Sequence, residues 1–188
     1  RRAELFRGEL EALLLMAREQ HRDPLDYQGS YAGALGLPQF LPSSVRNYAV
    51  DFDGDGQIDL LNSPADAIGS VARYMQMHGW ETGAPVAIRA NVEPGANLPP
   101  LIANDINPAF DNATLAGYGV KPVDGSTPAG KAAFVELVTP GEDSEYWLGY
   151  QNFYVITRYN RSSFYAMSVF QLGEAVRAAR TAAQVSRR

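Results

Sequence analysis

The apolar residues near the start of the chain follow helical spacing. They recur at intervals of three and four, with charged side chains between them, and therefore predict an amphipathic helix over residues 3–20. Residues 23–39 are interrupted by prolines and glycines, which predicts a loop or a chain of short helices. The apolar positions of the first predicted helix are Leu5, Phe6, Leu10, Leu13, Leu14 and Ala17.

A second helix is predicted from Pro64 to His78. Ser63 is a suitable N-cap, proline is favoured at the first helical position, and Asp66 places an acid in the first turn. Gly79 is a suitable C-terminal stop. The residues expected on the buried face of this helix are Ile68, Val71, Ala72 and Met75.

The pattern changes in the middle of the chain. Eight of the twelve prolines lie within residues 83–141, together with short β-rich runs at 86–88 and 134–138, which predicts a loop-rich insertion with strands. Helical spacing returns from Asn152, and a pair of serines can cap a last helix. The fold class expected is α+β, predominantly helical. The predicted domain organisation is a helical core over residues 1–82, a loop-rich β subdomain over residues 83–148 and a helical return over residues 149–188.

Composition limits the classes of function. With 46% hydrophobic and 20% charged residues the chain is ordinary for a globular protein, and no stretch reaches the length of a membrane span. The net charge of −5 argues against nucleic acid as a partner. The absence of cysteine excludes disulfides and thiolate sites, and two histidines are too few for a His-rich metal site. No phosphate-binding loop occurs, and no organic cofactor is expected.

An aspartate-rich segment, DFDGDGQID, has the pattern of the first half of an EF-hand loop. Asp51, Asp53 and Asp55 direct three carboxylates to one point. Gly56 permits the sharp turn, and Gln57 offers its backbone carbonyl. Carboxylates this close would repel one another without a cation, so a structural Ca²⁺ is expected in preference to a metal-free acidic turn.

The sequence leaves open which residue closes this loop. The twelfth position, a glutamate in EF-hands, is Asn62. The next carboxylate belongs to Asp66, which either closes a longer loop or serves as a capping-box acid after Ser63. Ile58, at the eighth position, is expected to be buried.

Two further segments suit a saccharide ligand. Residues 29–44 are rich in small residues that let the backbone approach a ligand, and Ser30 and Gln39 can hydrogen-bond sugar hydroxyls and amides. The alternative is a glycine-rich connection between helices. Residues 157–165 place two tyrosines around Asn160 in a turn, where aromatic faces and an amide suit a sugar ring. Here the alternative is packing of the tyrosines in the core.

These three motifs, in this order, resemble the lytic murein transglycosylase B family along nearly the whole chain. The resemblance implies a lysozyme-like helical core with an inserted β-rich subdomain and an EF-hand-like calcium site. It also implies cleavage of the β-1,4 bond between N-acetylmuramic acid and N-acetylglucosamine in peptidoglycan glycan strands, leaving 1,6-anhydro ends. The implied location is the periplasm, or the periplasmic face of the outer membrane, of a Gram-negative bacterium.

In that family a single glutamate acts first as acid and then as base. It stands in a Glu-Ser/Thr-x-x-Gly-like motif upstream of a double arginine, and this sequence begins at the double arginine, so the catalytic glutamate is expected upstream of the chain. Glu9, Glu11 and Glu19 lack the motif. Membrane attachment is expected only through a lipid anchor outside the chain.

The resemblance also assigns roles to individual residues, with Ser30 and Gln39 assisting beside the glutamate. The substrate-binding residues it implies are Arg1, Arg2, Ser30, Gln39, Tyr74, Tyr159, Asn160 and Tyr165. The calcium ligands it implies are Asp51, Asp53, Asp55, the carbonyl of Gln57, and Asp66.

Two alternative functions remain at this point. One is a non-catalytic peptidoglycan-binding module that keeps the cleft without the acid. The other is a calcium-dependent interaction module of the dockerin type, but dockerins carry two aspartate-rich loops and this chain has one.

Overall fold

The computed structural model describes residues 2–186, with side chains from residue 3 onward. The roles predicted for Arg1 and for the side chain of Arg2 lie outside these described residues. The chain divides into two compact units, Arg1–Met77 and His78–Arg188. Within the described range, no helix is both long enough and apolar enough to cross a membrane.

The first unit is helical. It contains α1 (Arg2–Glu19), a short 3-10 turn at Pro24–Asp26, α2 (Pro42–Tyr48) and α3 (Pro64–Met77). The helices predicted over residues 3–20 and from Pro64 are therefore confirmed, the second ending one residue earlier than expected.

The buried face of α1 differs from the predicted stripe. Ala12, Met16 and Ala17 are buried, and this face packs against α2. The predicted apolar positions Leu5, Phe6, Leu10 and Leu14 are each about half exposed, between 47% and 57%. Among the predicted positions Ala17 is buried and Leu13 is partly buried, so only part of the predicted stripe contributes to the packed face.

The predicted buried face of α3 is wrong. The buried residues are Asp66, Ala67, Gly69, Ser70 and Tyr74. The predicted Ile68 is 68% exposed, Ala72 is exposed, and Val71 and Met75 are only partly buried. The reason is that the inner face of α3 meets the backbone of the aspartate-rich loop, which requires hydrogen-bonding side chains.

Two polar contacts define that inner face of α3. The Ser70 hydroxyl accepts a hydrogen bond from Val50 N at 3.0 Å, and the Asp66 carboxylate accepts one from Phe52 N at 2.8 Å. The ring of Phe52 lies directly on Gly69, where any side chain would collide with it. A polar and small-residue face is therefore the one that packs.

The second unit begins with the elements β1 (Ala87–Val92), α4 (Pro99–Ile102), α5 (Asn112–Gly117), β2 (Val120–Pro122), β3 (Ala133–Leu137) and β4 (Glu145–Gly149). The strands form a four-stranded antiparallel sheet with strand order β2-β1-β4-β3. The predicted run at 134–138 corresponds to β3, whereas the run at 86–88 only overlaps the start of β1. Two short helices, α4 and α5, cover the sheet at Leu101 and Leu115, which are almost completely buried.

Two helices follow the sheet, as the sequence predicts. They are α6 (Gln151–Tyr159) and α7 (Ser163–Val185), and the Ser162 hydroxyl caps α7 by accepting a hydrogen bond from Tyr165 N at 3.2 Å. Asn152, fully buried in α6, exchanges hydrogen bonds with both backbone groups of Glu81 at 2.8 Å. The second unit thus joins helices and an antiparallel sheet, and the mixed α and β class is confirmed. The three-part division at residues 82 and 148 stays a prediction.

Candidate functional site

The glycine-rich segment forms two consecutive tight turns. Bridges pair Gly29 with Leu35 and Leu35 with Phe40, and Leu35 N donates to Phe40 O at 2.7 Å. At Gly36 a Cβ would lie 2.5 Å from the carbonyl oxygen of Leu60, so only glycine allows this approach. The segment is therefore a closed loop with a fixed backbone.

This loop exposes both side chains predicted to assist catalysis. The Ser30 hydroxyl is exposed and accepts a hydrogen bond from Ala34 N at 3.2 Å. Gln39 is also exposed and adopts φ +53, a left-handed conformation that is strained for a residue with a side chain. Its Nε2 donates to Gly36 O at 2.9 Å, and its carboxamide oxygen can accept a hydrogen bond from a ligand. Strained residues of this kind cluster at functional sites.

An aromatic cluster supports the same loop. Tyr74 of α3 is only 8% exposed, and its ring meets the Tyr48 ring edge-on with the centroids 4.9 Å apart. The Phe40 ring lies 5.8 Å from Tyr74 and 6.5 Å from Tyr48. Because Phe40 follows Gln39 directly, the cluster fixes the backbone that carries Gln39. The substrate-binding role of Tyr74 stays a prediction.

The remaining predicted cleft residues lie together in the second unit. Tyr159 is the last residue of α6, Asn160 is exposed in the following turn, and Tyr165 is in the first turn of α7. Both tyrosines are partly buried. The turn is held by an ion pair of Arg161 with Asp105 at 2.8 Å. The sequence correctly placed the two tyrosines around a turn before a helix.

The aspartate-rich loop brings three carboxylates together. Ligand oxygens of Asp51, Asp53 and Asp66 all lie within 4.8 Å of one another. The Asp51 carboxylate accepts hydrogen bonds from Gly54 N at 2.7 Å and from Gly56 N at 2.8 Å. Gly56 has φ +91, as the predicted sharp turn requires. The arrangement offers hard oxygen ligands, which suit Ca²⁺ chemically.

Asp66 links this loop to α3. Its carboxylate is 1% exposed and accepts a hydrogen bond from Phe52 N with one oxygen and from Asp59 N with the other, both at 2.8 Å. These bonds, the one from Asp59 first, hold the pKa of Asp66 below its usual range. Asp66 N also donates to the Ser63 hydroxyl at 3.2 Å, so the helix cap and the loop contact occur together.

The other predicted loop ligands are arranged differently. Asp55 is not among the three clustered carboxylates, and its side chain accepts a hydrogen bond from Gln57 N at 2.8 Å. Asn62 donates from its side chain to Asp59 at 3.0 Å and lowers the pKa of that carboxyl. Ile58 is 46% exposed, contrary to the prediction, because the apolar contact between loop and α3 is made by Phe52.

Two glutamates of α1 have structural partners that the sequence analysis missed. The Glu9 carboxylate accepts hydrogen bonds from Ser43 N at 2.9 Å and from the Ser43 hydroxyl at 2.7 Å. Glu19 forms a forked pair with Arg46, at 3.1 and 2.6 Å, which lowers the pKa of Glu19. No local sequence pattern predicts the contact of Glu9 with Ser43, since the two residues are 34 positions apart.

Comparisons with known proteins agree with this architecture. Residues 1–174 match the family described as the transglycosylase SLT domain. Over 180 residues the chain is 48% identical to the membrane-bound lytic murein transglycosylase B of Escherichia coli K12, covering 96% of this chain and 48% of that protein. The chain thus spans about half the length of this relative.

Solved structures give the same result. The Escherichia coli lytic transglycosylase Slt35 in complex with calcium has a TM-score of 0.83 and 48% identity, with coverage of 96% of this chain and 56% of that chain. SltB3 from Pseudomonas aeruginosa in complex with NAG-NAM-pentapeptide has a TM-score of 0.73 and 33% identity, with coverage of 90% and 45% respectively. The resemblance found in the sequence is confirmed, and the chain belongs to the transglycosylase SLT domain family.

Proposed function

We propose that the protein carrying this chain is a lytic murein transglycosylase. It cleaves the β-1,4 bond between N-acetylmuramic acid and N-acetylglucosamine in peptidoglycan and leaves 1,6-anhydro-muramic ends. The observation that carries this proposal is the family match over residues 1–174. The implied fold is a lysozyme-like helical core with an inserted β-rich subdomain. The substrate places the reaction in the periplasm, or at the periplasmic face of the outer membrane, of a Gram-negative bacterium.

The reaction needs one group that donates and then accepts a proton. The acid protonates the glycosidic oxygen as the bond breaks, and the resulting carboxylate accepts the proton of the C6 hydroxyl as that oxygen attacks C1. Such an acid needs an environment that keeps it protonated near neutral pH. Glu19 has the opposite environment, since Arg46 lowers its pKa, and Glu9 is occupied by Ser43. These contacts argue against Glu9 and Glu19 as the acid, and we propose that the catalytic glutamate lies upstream of this chain.

Ser30 and Gln39 are proposed to position the scissile sugars. Both side chains are exposed on a loop whose backbone is fixed by its turns and by Phe40. A fixed backbone holds their polar atoms in one orientation toward a ligand. It therefore positions the sugar for reaction better than a mobile loop would. Sugar rings and amides of the glycan are proposed to bind Tyr74 in the first unit and Tyr159, Asn160 and Tyr165 in the second.

The aspartate-rich loop is proposed to bind one structural Ca²⁺. The carboxylates of Asp51, Asp53 and Asp66 provide the clustered hard oxygens, with Asp55 and the carbonyl of Gln57 completing the set. Asp66, at 1% exposure, is held against Asp59 N and Phe52 N, and each of its oxygens keeps a further lone pair for a cation. This supports Asp66 over Asn62 as the residue that closes the loop. The ion would brace the loop against α3.

Calcium binding is tested by calorimetry on wild type, Asp66→Ala and Asn62→Ala. We expect Asp66→Ala to weaken the affinity for calcium more than Asn62→Ala, because a carboxylate contributes charge and two oxygens whereas an amide contributes one oxygen. Asn62→Ala is the matched control within the same loop. The reverse ranking would restore a loop of twelve residues, and equal melting temperatures of wild type in calcium and in chelator would remove the calcium site altogether.

Activity is tested by digestion of purified sacculi with the full-length protein, followed by mass spectrometry of the muropeptides. The expected products are anhydro-muropeptides. Reducing-end products formed by water would identify a hydrolase on the same scaffold. Retention of sacculi without any product would favour a non-catalytic binding module.

A further inference from the structure

A cavity of about 680 Å³ lies in the first unit beside the aspartate-rich loop. It is formed by residues 20–28, by Leu35 and Gly36 of the glycine-rich segment, and by residues 56–62 of the aspartate-rich loop. It includes none of the residues proposed to bind the scissile sugars. Its size falls within the range of small-molecule sites. The polar side chains of its lining are those of Arg22, Tyr27, Asp59 and Asn62 and of three glutamines, Gln20, Gln28 and Gln57.

Arg22 and Tyr27 form one wall of this cavity. The guanidinium carbon of Arg22 lies 4.8 Å from the centroid of the Tyr27 ring, and the Tyr27 hydroxyl donates to the Gln20 side chain at 2.6 Å. Over residues 2–186 the guanidinium makes one hydrogen bond, a long one of 3.4 Å to Asp26 O. A planar guanidinium on an aromatic ring, with most of its donors uncommitted, suits a carboxylate ligand.

Asp59 places the opposite charge in the same cavity. One of its oxygens accepts hydrogen bonds from Leu61 N and Asn62 N, both at 2.9 Å. The other accepts the Asn62 side chain at 3.0 Å and has a lone pair for a further donor. The cavity therefore offers a cation, an anion and several carboxamides. A ligand that carries both a carboxylate and an amine can pair with Arg22 and Asp59 at once, whereas a neutral sugar or an apolar ligand can form neither charge-assisted pair.

We propose that this cavity binds the zwitterionic end of the peptide stem carried by peptidoglycan. A free carboxylate of the stem pairs with Arg22, a free amine of the stem pairs with Asp59, and the carboxamides of Gln20 and Gln28 bond its peptide groups. The inference rests on the proposed function for the choice of ligand. Binding of the peptide stem in this cavity makes the protein prefer peptide-bearing glycan over glycan stripped of its peptides.

The test is calorimetry on the full-length protein with three probes. These are a disaccharide carrying a tripeptide that ends in a free amine and free carboxylates, the same disaccharide without peptide, and the free tripeptide. In Arg22→Ala we expect the dissociation constants of the disaccharide with tripeptide and of the free tripeptide to rise about tenfold or more, since a charge-assisted pair is lost. The constant for the bare disaccharide should not change.

Arg18→Ala is the matched control. It removes the same charge from an exposed position on α1 that does not line the cavity, and it should leave all three constants unchanged. Arg22→Lys retains the charge without the planar fork and should fall between wild type and Arg22→Ala. Melting temperatures of all variants in the absence of ligand separate loss of binding from loss of folding.

Three results would overturn the inference. The first is equal weakening of all probes by Arg22→Ala, the second is equal loss in Arg18→Ala, and the third is wild-type binding that does not distinguish peptide-bearing from bare disaccharide. None of these results affects the proposed reaction, which is measured by the products from sacculi. Conversely, a protein that releases no anhydro-muropeptides while binding the free tripeptide through Arg22 would refute the reaction and leave the cavity's ligand in place.

Discussion

Replacing Glu9 distinguishes a structural carboxylate from a catalytic one. Glu9 of α1 accepts hydrogen bonds from Ser43 N and from the Ser43 hydroxyl, at 2.9 and 2.7 Å. Ser43 stands in the first turn of α2, whose N-cap residue, Leu41, makes no side-chain cap. Glu9 therefore caps α2 from another helix, and its charge lies at the positive end of the α2 dipole.

The expected cost follows from these two bonds. Loss of a helix cap costs ~0.5–2 kcal/mol, and loss of a further hydrogen bond costs about 1 kcal/mol, so Glu9→Ala should destabilise the protein by about 1–3 kcal/mol. For a chain of this size each kcal/mol lowers the melting temperature by about 2–4 °C. Glu9→Gln keeps one oxygen for Ser43 N and should lose roughly half as much.

The assay combines thermal unfolding with turnover of purified sacculi by the full-length protein. Glu9→Gln should lower the melting temperature while leaving turnover near wild type at a temperature where both are folded. Glu11→Gln, exposed on the same helix, should change neither quantity. A general acid contributes ~10²–10⁴-fold to the rate, so a loss of turnover of that size in folded Glu9→Gln would refute the structural reading and make Glu9 the acid.

Two further predictions concern strain and charge in the same unit. Gln39→Gly should be more stable than Gln39→Ala by about 1 kcal/mol in urea unfolding, because glycine accepts φ +53 without strain. Both variants should lose turnover, and equal stability of the two would show that the backbone at this position is not strained. The ion pair with Arg46 lowers the folded-state pKa of Glu19 below its usual 4.5. The contribution of this pair to folding stability is therefore complete above pH 4.5 and is lost as the pH falls through the lowered pKa. Stability of Glu19→Gln, measured by unfolding in acid, should therefore fall less steeply below about pH 4.5 than that of wild type; identical slopes would show that the pair contributes nothing.

The sequence predicted helices better than buried faces. The start of α3 was predictable because Ser63, Pro64 and Asp66 are local signals of a helix N-terminus. Its buried face was not, because burial depends on what packs against the helix. The partner is a polar loop whose backbone donors select Asp66 and Ser70, and the exposed Ile68 follows from that choice.

The short strands and helices of the second unit were only partly predictable for a related reason. β3 has a run of apolar residues and was found, but β2 spans only Val120–Pro122 and pairs with residues about thirty positions earlier, Ala90 to Val92. Three residues are too few to show an alternating pattern. Such a strand is defined by its partner, which a local pattern cannot identify.

The candidate site divides in the same way. The spacing of Asp51 and Asp53 predicted a carboxylate cluster because both residues belong to one loop, and the helix cap that follows made Asp66 a candidate. The cavity at Arg22 and Tyr27 had no such signal, because its lining comes from three separate segments, residues 20–28, 35–36 and 56–62. Contacts within one loop leave a pattern in the sequence, whereas contacts between loops do not.

The hydrogen bonds of the aspartate-rich loop also determine how calcium would act on it. Asp51 accepts three backbone amides of its own loop, from Gly54, Asp55 and Gly56, and Asp66 accepts two more from Phe52 and Asp59. The turn is therefore formed by the protein's own donors, and a cation would bind a loop that already has its shape. We expect calcium to add stability by mass action, about 2.7 kcal/mol at a hundredfold excess over its dissociation constant, and chelation to lower the melting temperature without unfolding the protein. Unfolding by chelator at room temperature would instead show that the carboxylates repel one another more strongly than these amides can offset, and that the ion is required for the fold itself.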